Sequence, residues 1–312
     1  AIRAGTLKLD DRILVTKNAF RKGGSTMFLK LGQRVSVSDI IRGIIVQSGN
    51  DAAIALAEHL SGTEAAFADA MTQRAREIGM ANSRFVNATG WPDPNEFMSA
   101  RDIATVTKRL IDEFPDFYPL FAERSFAFNG VEQDNRNPLL YGFAGADGLK
   151  TGHTEEAGYG LAASAIRDGR RLISVVSGLP SKRARGQESE RLLEWGFRSF
   201  DNRLLFRAGE TIARAPVWMG ERPNEDLVVT RDVVVTAPRA DIDALTARAL
   251  YIGPAPAPIA AGAPFNDARL IVEAAGAPLT EIPLVARETV PRAGALGRVL
   301  SVAEYYVFGG GL

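Results

Sequence analysis

The chain has 312 residues, 46% hydrophobic and 24% charged, ordinary for a soluble globular protein and long enough for two domains with separate cores. Lys plus Arg and Asp plus Glu both number 37, so the formal net charge is zero and no basic footprint for a phosphate backbone exists; nucleic acid is not an expected partner. There is no cysteine, which excludes disulfides and thiolate metal sites, and two histidines (His59 and His153) are too few for a histidine-rich one, so neither metal nor cofactor is expected.

In chain order, Ala1 to Gly5 reads as the tail of a helix ending at glycine, with no signal peptide after Ala1, and the expectation is that further residues precede it. Arg12 to Thr16 is β-prone, and Lys17 to Ser25 is a polar, glycine-containing loop. Ser38 and Asp39 are expected to cap a helix carrying Ile40, Ile41, Ile44 and Ile45 at helical spacing. Asn50 to Leu60 and Glu64 to Ile78 are Ala-rich helices, and Ser99 with Asp102 forms a capping box ahead of Ile103, Val106 and Leu110. After Pro115 the pattern turns to strands. Ser125 to Val131 is β-prone, another strand starts near Gly148, and Tyr159 to Ala165 and Leu172 to Gly178 flank Asp168-Gly169, a hairpin signal. Ser189 to Phe200 is expected as a helix burying Leu192, Leu193, Trp195 and Phe197.

Helices first, then an antiparallel sheet with a closing helix, is an α+β arrangement. From about Asp201, short β-prone pieces recur with Pro- and Gly-rich connections, which favours a small β-sandwich. Leu296 to Phe308 carries Leu296, Val299, Leu300, Tyr305, Tyr306 and Phe308, the pattern either of an amphipathic segment on a membrane surface or of a terminal helix fraying off the domain. The expected boundaries are 1–200, 201–290 and 291–312. No apolar run approaches the ~18 residues of a membrane span.

Two tripeptides carry chemistry: Ser48-Gly49-Asn50 at a helix junction, and Lys150-Thr151-Gly152 in a strand. Each has an ordinary alternative, since Ser48 could cap a helix and Lys150 could be a solvated charge at a strand edge. Ser-x-Asn and Lys-Thr-Gly are two of the three motifs of penicillin-binding proteins and class A β-lactamases; the third, Ser-x-x-Lys, is absent, because no serine here is followed three residues later by lysine.

The stretch Ser36 to Leu56, Phe128-Asn129-Gly130, Asn135-Arg136-Asn137 and Asp147 to Gly158 together resemble the low-molecular-mass penicillin-binding proteins that are serine D-alanyl-D-alanine carboxypeptidases. The resemblance implies a penicillin-binding/β-lactamase-like transpeptidase domain followed by a small β-sandwich, in a periplasmic hydrolase that the C-terminal helix would hold peripherally on the inner membrane. It removes the terminal D-alanine of peptidoglycan stem peptides through an acyl-enzyme and is a target of β-lactam antibiotics. It also implies roles. Ser48 relays a proton toward the leaving amine, and Lys150 supplies positive potential. Asn50 binds the substrate backbone or the acyl side-chain carbonyl and helps hold the absent lysine, Thr151 meets the substrate carboxylate, and Gly152 leaves the strand edge open. The His153 backbone N–H is an oxyanion donor, and Arg136 and Arg185 border the carboxylate site; for Arg185 the alternative is a solvated basic loop. The nucleophilic serine and its lysine are expected upstream, so that this chain alone would be inactive. The competing readings are a non-catalytic peptidoglycan-binding protein or inactive fragment, and a β-lactamase, which the β-rich second domain disfavours.

Overall fold

A computed structural model describes residues 1–299 and divides the chain into two compact units, Ala1–Phe197 and the part from Arg198 onward. The first unit opens on a Schellman turn: Gly5 N–H donates to Ile2 O (3.0 Å) and Thr6 N–H to Ala1 O (3.1 Å), with Gly5 at φ +73°. The Arg12–Leu14 strand pairs antiparallel with Arg34–Ser36. Residues Lys17–Arg21, expected as loop, form one turn of helix instead, because Thr16 caps it through Ala19 N–H and buried Ala19 seats it on the core. The next correction concerns a cap. Helix Val37–Ile45 starts on Ser36, not Ser38, since Ser36 Oγ accepts from Asp39 N–H (3.1 Å) and donates to the Asp39 carboxylate (2.6 Å).

Helices Asn50–Ser61, Glu64–Glu77 and Ala100–Glu113 follow, the last two capped by Thr63 and Ser99, each cap worth about 1 kcal/mol. Ile13, Val15, Met27, Val35, Val37 and Ile40 close one core with Ile54 of helix Asn50–Ser61. The second core lies under a three-stranded antiparallel sheet of Ala146–Thr154, Gly158–Arg167 and Arg170–Leu179, in that order, where Leu161, Ala163 and Ala165 meet Leu193 and Phe197. Asp168 and Gly169 turn the hairpin, both with positive φ. The closing helix runs Lys182–Ser199 and so begins seven residues before the expected Ser189. Its added turns are polar, and they hide from a hydrophobic-period reading because what they bury is Arg185 and Gly186.

The second unit is β-rich. Six strands order as Thr246–Leu250, Pro264–Ala274, Ala277–Ala286, Asn224–Val228, Thr211–Trp218 and Ala255–Pro256, and Phe200–Phe206 pairs separately with Val233–Pro238. Strict alternation in Val233–Pro238 buries Val233, Val235 and Ala237 and exposes the residues between. Both sheets contribute to one core with Leu227, Phe265, Leu270, Val272 and Leu284, a small sandwich. No helix among the described residues is long and apolar enough to cross a membrane. Of the proposed membrane-surface segment, Leu296 and Val299 are exposed, and residues 300–312 lie outside the described residues.

Candidate active site

The site forms where the helical junction at Ser48 meets the edge strand Ala146–Thr154. Gly49, not Ser48, is the N-cap of helix Asn50–Ser61, and it makes no side-chain cap bond. Ser48 instead has φ +57°, a left-handed conformation that costs a non-glycine residue about 1–2 kcal/mol. The turn is held by Gly49 N–H to Gly43 O (3.0 Å) and Asn50 N–H to Ser25 O (2.8 Å). Lys150 reaches across from the sheet, 102 positions along the chain. Its Nζ donates to Ser48 Oγ at 2.7 Å and to Thr151 O at 3.1 Å. Lys150 is thus a half-buried cation joining the two motifs, not a solvated one.

Desolvation first, then the neighbouring guanidinium groups of Arg136 and Arg185, lowers the Lys150 pKa to about 8. Arg185 sits in the first turns of helix Lys182–Ser199, not ahead of it, and is only 5% exposed, which removes the solvated-loop alternative. One guanidinium nitrogen donates to Arg136 O (3.0 Å), its Cζ lies 5.8 Å from the Tyr159 ring centre, and its Nε has no hydrogen-bond partner among the described residues. A buried, incompletely paired guanidinium beside a lysine is suited to an incoming anion. Arg136 donates to Ser25 Oγ at 2.6 Å from the more open side.

Strand register places Thr151 opposite Leu161, Gly152 opposite Gly160, and His153 opposite Tyr159. A Cβ on Gly152 would meet nothing within 4 Å, so open space adjoins the strand there. The exposed His153 ring lies 3.9 Å from the Tyr159 ring. Asn50 Nδ2 donates to Gly23 O (3.0 Å). Asp51, next in sequence and buried, accepts from Thr26 Oγ1 and from the N–H groups of Met27, Leu29 and Ala52 at 2.5–3.0 Å, which ties the Ser25–Leu29 segment to the helix start.

A family model described as D-alanyl-D-alanine carboxypeptidase matches residues 1–181, and one described as penicillin-binding protein 5, C-terminal domain, matches residues 200–292. The D-alanyl-D-alanine carboxypeptidase DacC of Escherichia coli (strain K12) is 38% identical over 307 residues, covering 96% of this chain and 76% of the relative. The chain belongs to the serine D-alanyl-D-alanine carboxypeptidases. Among its other relatives, DacA of Haemophilus influenzae is 39% identical over 80% of this chain and 64% of its own length. The crystal structure of penicillin binding protein 5 from H. influenzae superposes with a TM-score of 0.88 at 35% identity, covering 94% of this chain and 86% of that one.

Within this carboxypeptidase chain, contacts link Ser48 to Lys150, Lys150 to Thr151, and Arg185 to Arg136, with both guanidinium groups acting on Lys150 and Asn50 two residues from Ser48, whereas exposed His59, in the last turn of helix Asn50–Ser61, makes none of these contacts. Residues that sequence reasoning passed over include Tyr159, between Arg185 and His153, and Asp51, the anchor of the Ser25 segment. Tyr159 was findable from the Asp168-Gly169 hairpin only with the strand register in hand. Asp51, beside Asn50, was detectable as an acid inside an otherwise apolar helical run.

Proposed function

We propose that Ser48, Asn50, Lys150, Thr151, Gly152, His153, Arg136 and Arg185 hold the D-alanyl-D-alanine terminus of a peptidoglycan stem peptide and move protons during its cleavage, and that the same groups receive β-lactams. The observation that carries this reading is the 2.7 Å bond from Lys150 Nζ to Ser48 Oγ, in a chain of this family. Acylation joins a serine to the carbonyl of the penultimate D-alanine, breaks the C–N bond and releases the terminal D-alanine as an amine; water then hydrolyses the ester. That serine belongs to a Ser-x-x-Lys element, which these 312 residues do not contain. The steps assigned to this chain lie on either side of the breaking bond.

The substrate carboxylate sits against Lys150, the Thr151 hydroxyl and Arg185, with Arg136 adding potential from outside. Because Lys150 donates to Ser48 Oγ, the Ser48 proton is free to point at the leaving nitrogen. Ser48 gives that proton to the amine and is reprotonated from Lys150, whose pKa of about 8 suits a group that must both release and retake a proton. Asn50, held at Gly23, accepts from the substrate amide on the acyl side, and the His153 N–H meets the carbonyl oxygen as it gains charge. Labelled penicillin tests the assignment on the protein translated from its complete gene. Covalent label and release of D-alanine from a peptide ending in D-Ala-D-Ala are expected; absence of both would overturn it.

The same reading places the protein in the periplasm, with residues 291–312 resting on the inner-membrane surface. The support is the apolar set Leu296, Val299, Leu300, Tyr305, Tyr306 and Phe308, with exposed Leu296 and Val299. Sedimentation with anionic vesicles should retain the chain and lose a version ending at residue 290; equal retention of the two would refute the anchor.

A further inference from the structure

Beside Asn50, across Gly24, stands an aromatic residue that the proposed mechanism does not use. Trp91 is 44% exposed, yet its position is tightly set. Asn87 Oδ1 accepts from the N–H groups of Thr89 and Trp91, and Asn87 Nδ2 donates to Trp91 O at 2.8 Å and to Glu96 at 2.7 Å. The indole edge lies against Gly24. A Cβ there would come within 2.8 Å of Asn50 Nδ2 and 2.9 Å of Trp91 Cζ3, so Asn50 and Trp91 flank a single glycine that no larger residue could replace unshifted. Gly24 also has φ +72°, which suits glycine alone. Lys22 Nζ lies 4.8 Å from the indole ring centre, and Lys17 and Arg21 share its segment. Glu58, near that segment, already accepts from Thr16 and Asn18, and Glu64 accepts from Ala88 N–H. The acids of the tryptophan loop turn to their own loop, Glu96 to Val86 N–H and Asn87, Asp93 to Asn95 N–H.

We infer that Trp91 and Lys22 form a specificity subsite for the residue on the amino-terminal side of the penultimate D-alanine, selecting a long side chain that ends in a carboxylate. This inference rests on Asn50 binding the acyl side of the substrate, since that contact places the preceding residue next to Gly24. A partly exposed indole on a hydrogen-bonded loop offers an apolar wall to an aliphatic stem at little entropic loss. The Lys22 ammonium over the ring then pairs with a terminal carboxylate and discriminates against an amide or amine.

The test uses binding rather than turnover. The ligands are stem tetrapeptides ending in a single D-alanine, the cleavage products, with either a long carboxylate-bearing third residue or its amide. Calorimetry on the full-length protein should give a clear preference for the carboxylate form. Trp91→Ala should weaken binding of both peptides about tenfold, Trp91→Phe should restore most of it, and Lys22→Glu, at the half-buried C-cap of a helical turn, should reverse the preference to the amide. Dissociation constants unchanged within twofold across these variants, or no peptide binding by the parent protein, would overturn the subsite. Labelled penicillin on the same samples reports on the carboxypeptidase site separately, so failure of one reading is distinguishable from failure of the other.

Discussion

Replacing Lys150 by methionine should lower kcat/KM for D-Ala-D-Ala peptides by about 10³, because it removes at once the cation facing the substrate carboxylate and the proton source behind Ser48. A thousandfold is about 4 kcal/mol of transition-state stabilisation, within the range of one preorganised charge in a desolvated site. Lys150→Arg should not rescue it, since a guanidinium keeps its proton throughout this pH range. The pH profile gives a second signature. A lysine lowered to about 8 is charged below that pH and neutral above it, so affinity for the substrate carboxylate is present at low pH and lost as pH rises through about 8. In the free enzyme kcat/KM should therefore fall above about pH 8. Bound carboxylate favours the charged lysine, so the matching fall in kcat should come at higher pH. Steady-state kinetics from pH 6 to 10 checks both, and identical profiles for kcat and kcat/KM would contradict the assignment.

Ser48→Gly should separate stability from activity. Glycine accepts φ +57° freely, so thermal unfolding should occur at higher temperature, with a gain of roughly 1 kcal/mol after the added chain entropy of glycine is counted. The same change deletes the hydroxyl that Lys150 contacts, and D-alanine release should drop about 10²–10³ in kcat. Calorimetric melting and product release measured on one sample test the two halves together. A stable variant with undiminished turnover would remove Ser48 from the proton path. A strained serine in the one place where its oxygen meets the lysine is the kind of local cost that active sites keep.

Much of the framework is legible residue by residue. The Ser99 and Asp102 pair, the isoleucines from 40 to 45 and the Asp168-Gly169 turn each announce their element, because capping, helical period and positive-φ turns are local effects acting within about four residues. The start of the closing helix was not legible, since its first turns bury an arginine and a glycine and show no apolar period. Thr16 as a cap was missed for a similar reason: a single helical turn leaves too short a pattern to detect.

The sequence by itself determined the family and the two motifs, because Ser-Gly-Asn and Lys-Thr-Gly and their flanking blocks are contiguous strings. Only the tertiary structure decided what those strings do to one another. The Lys150–Ser48 bond, the burial of Arg185 beside them, and the pairing of Trp91 with Asn50 across Gly24 join residues from distant parts of the chain. The physical reason is that a lysine's proton affinity and a guanidinium's missing partner depend on distance and desolvation, and both are set by packing rather than by the order of residues along the chain.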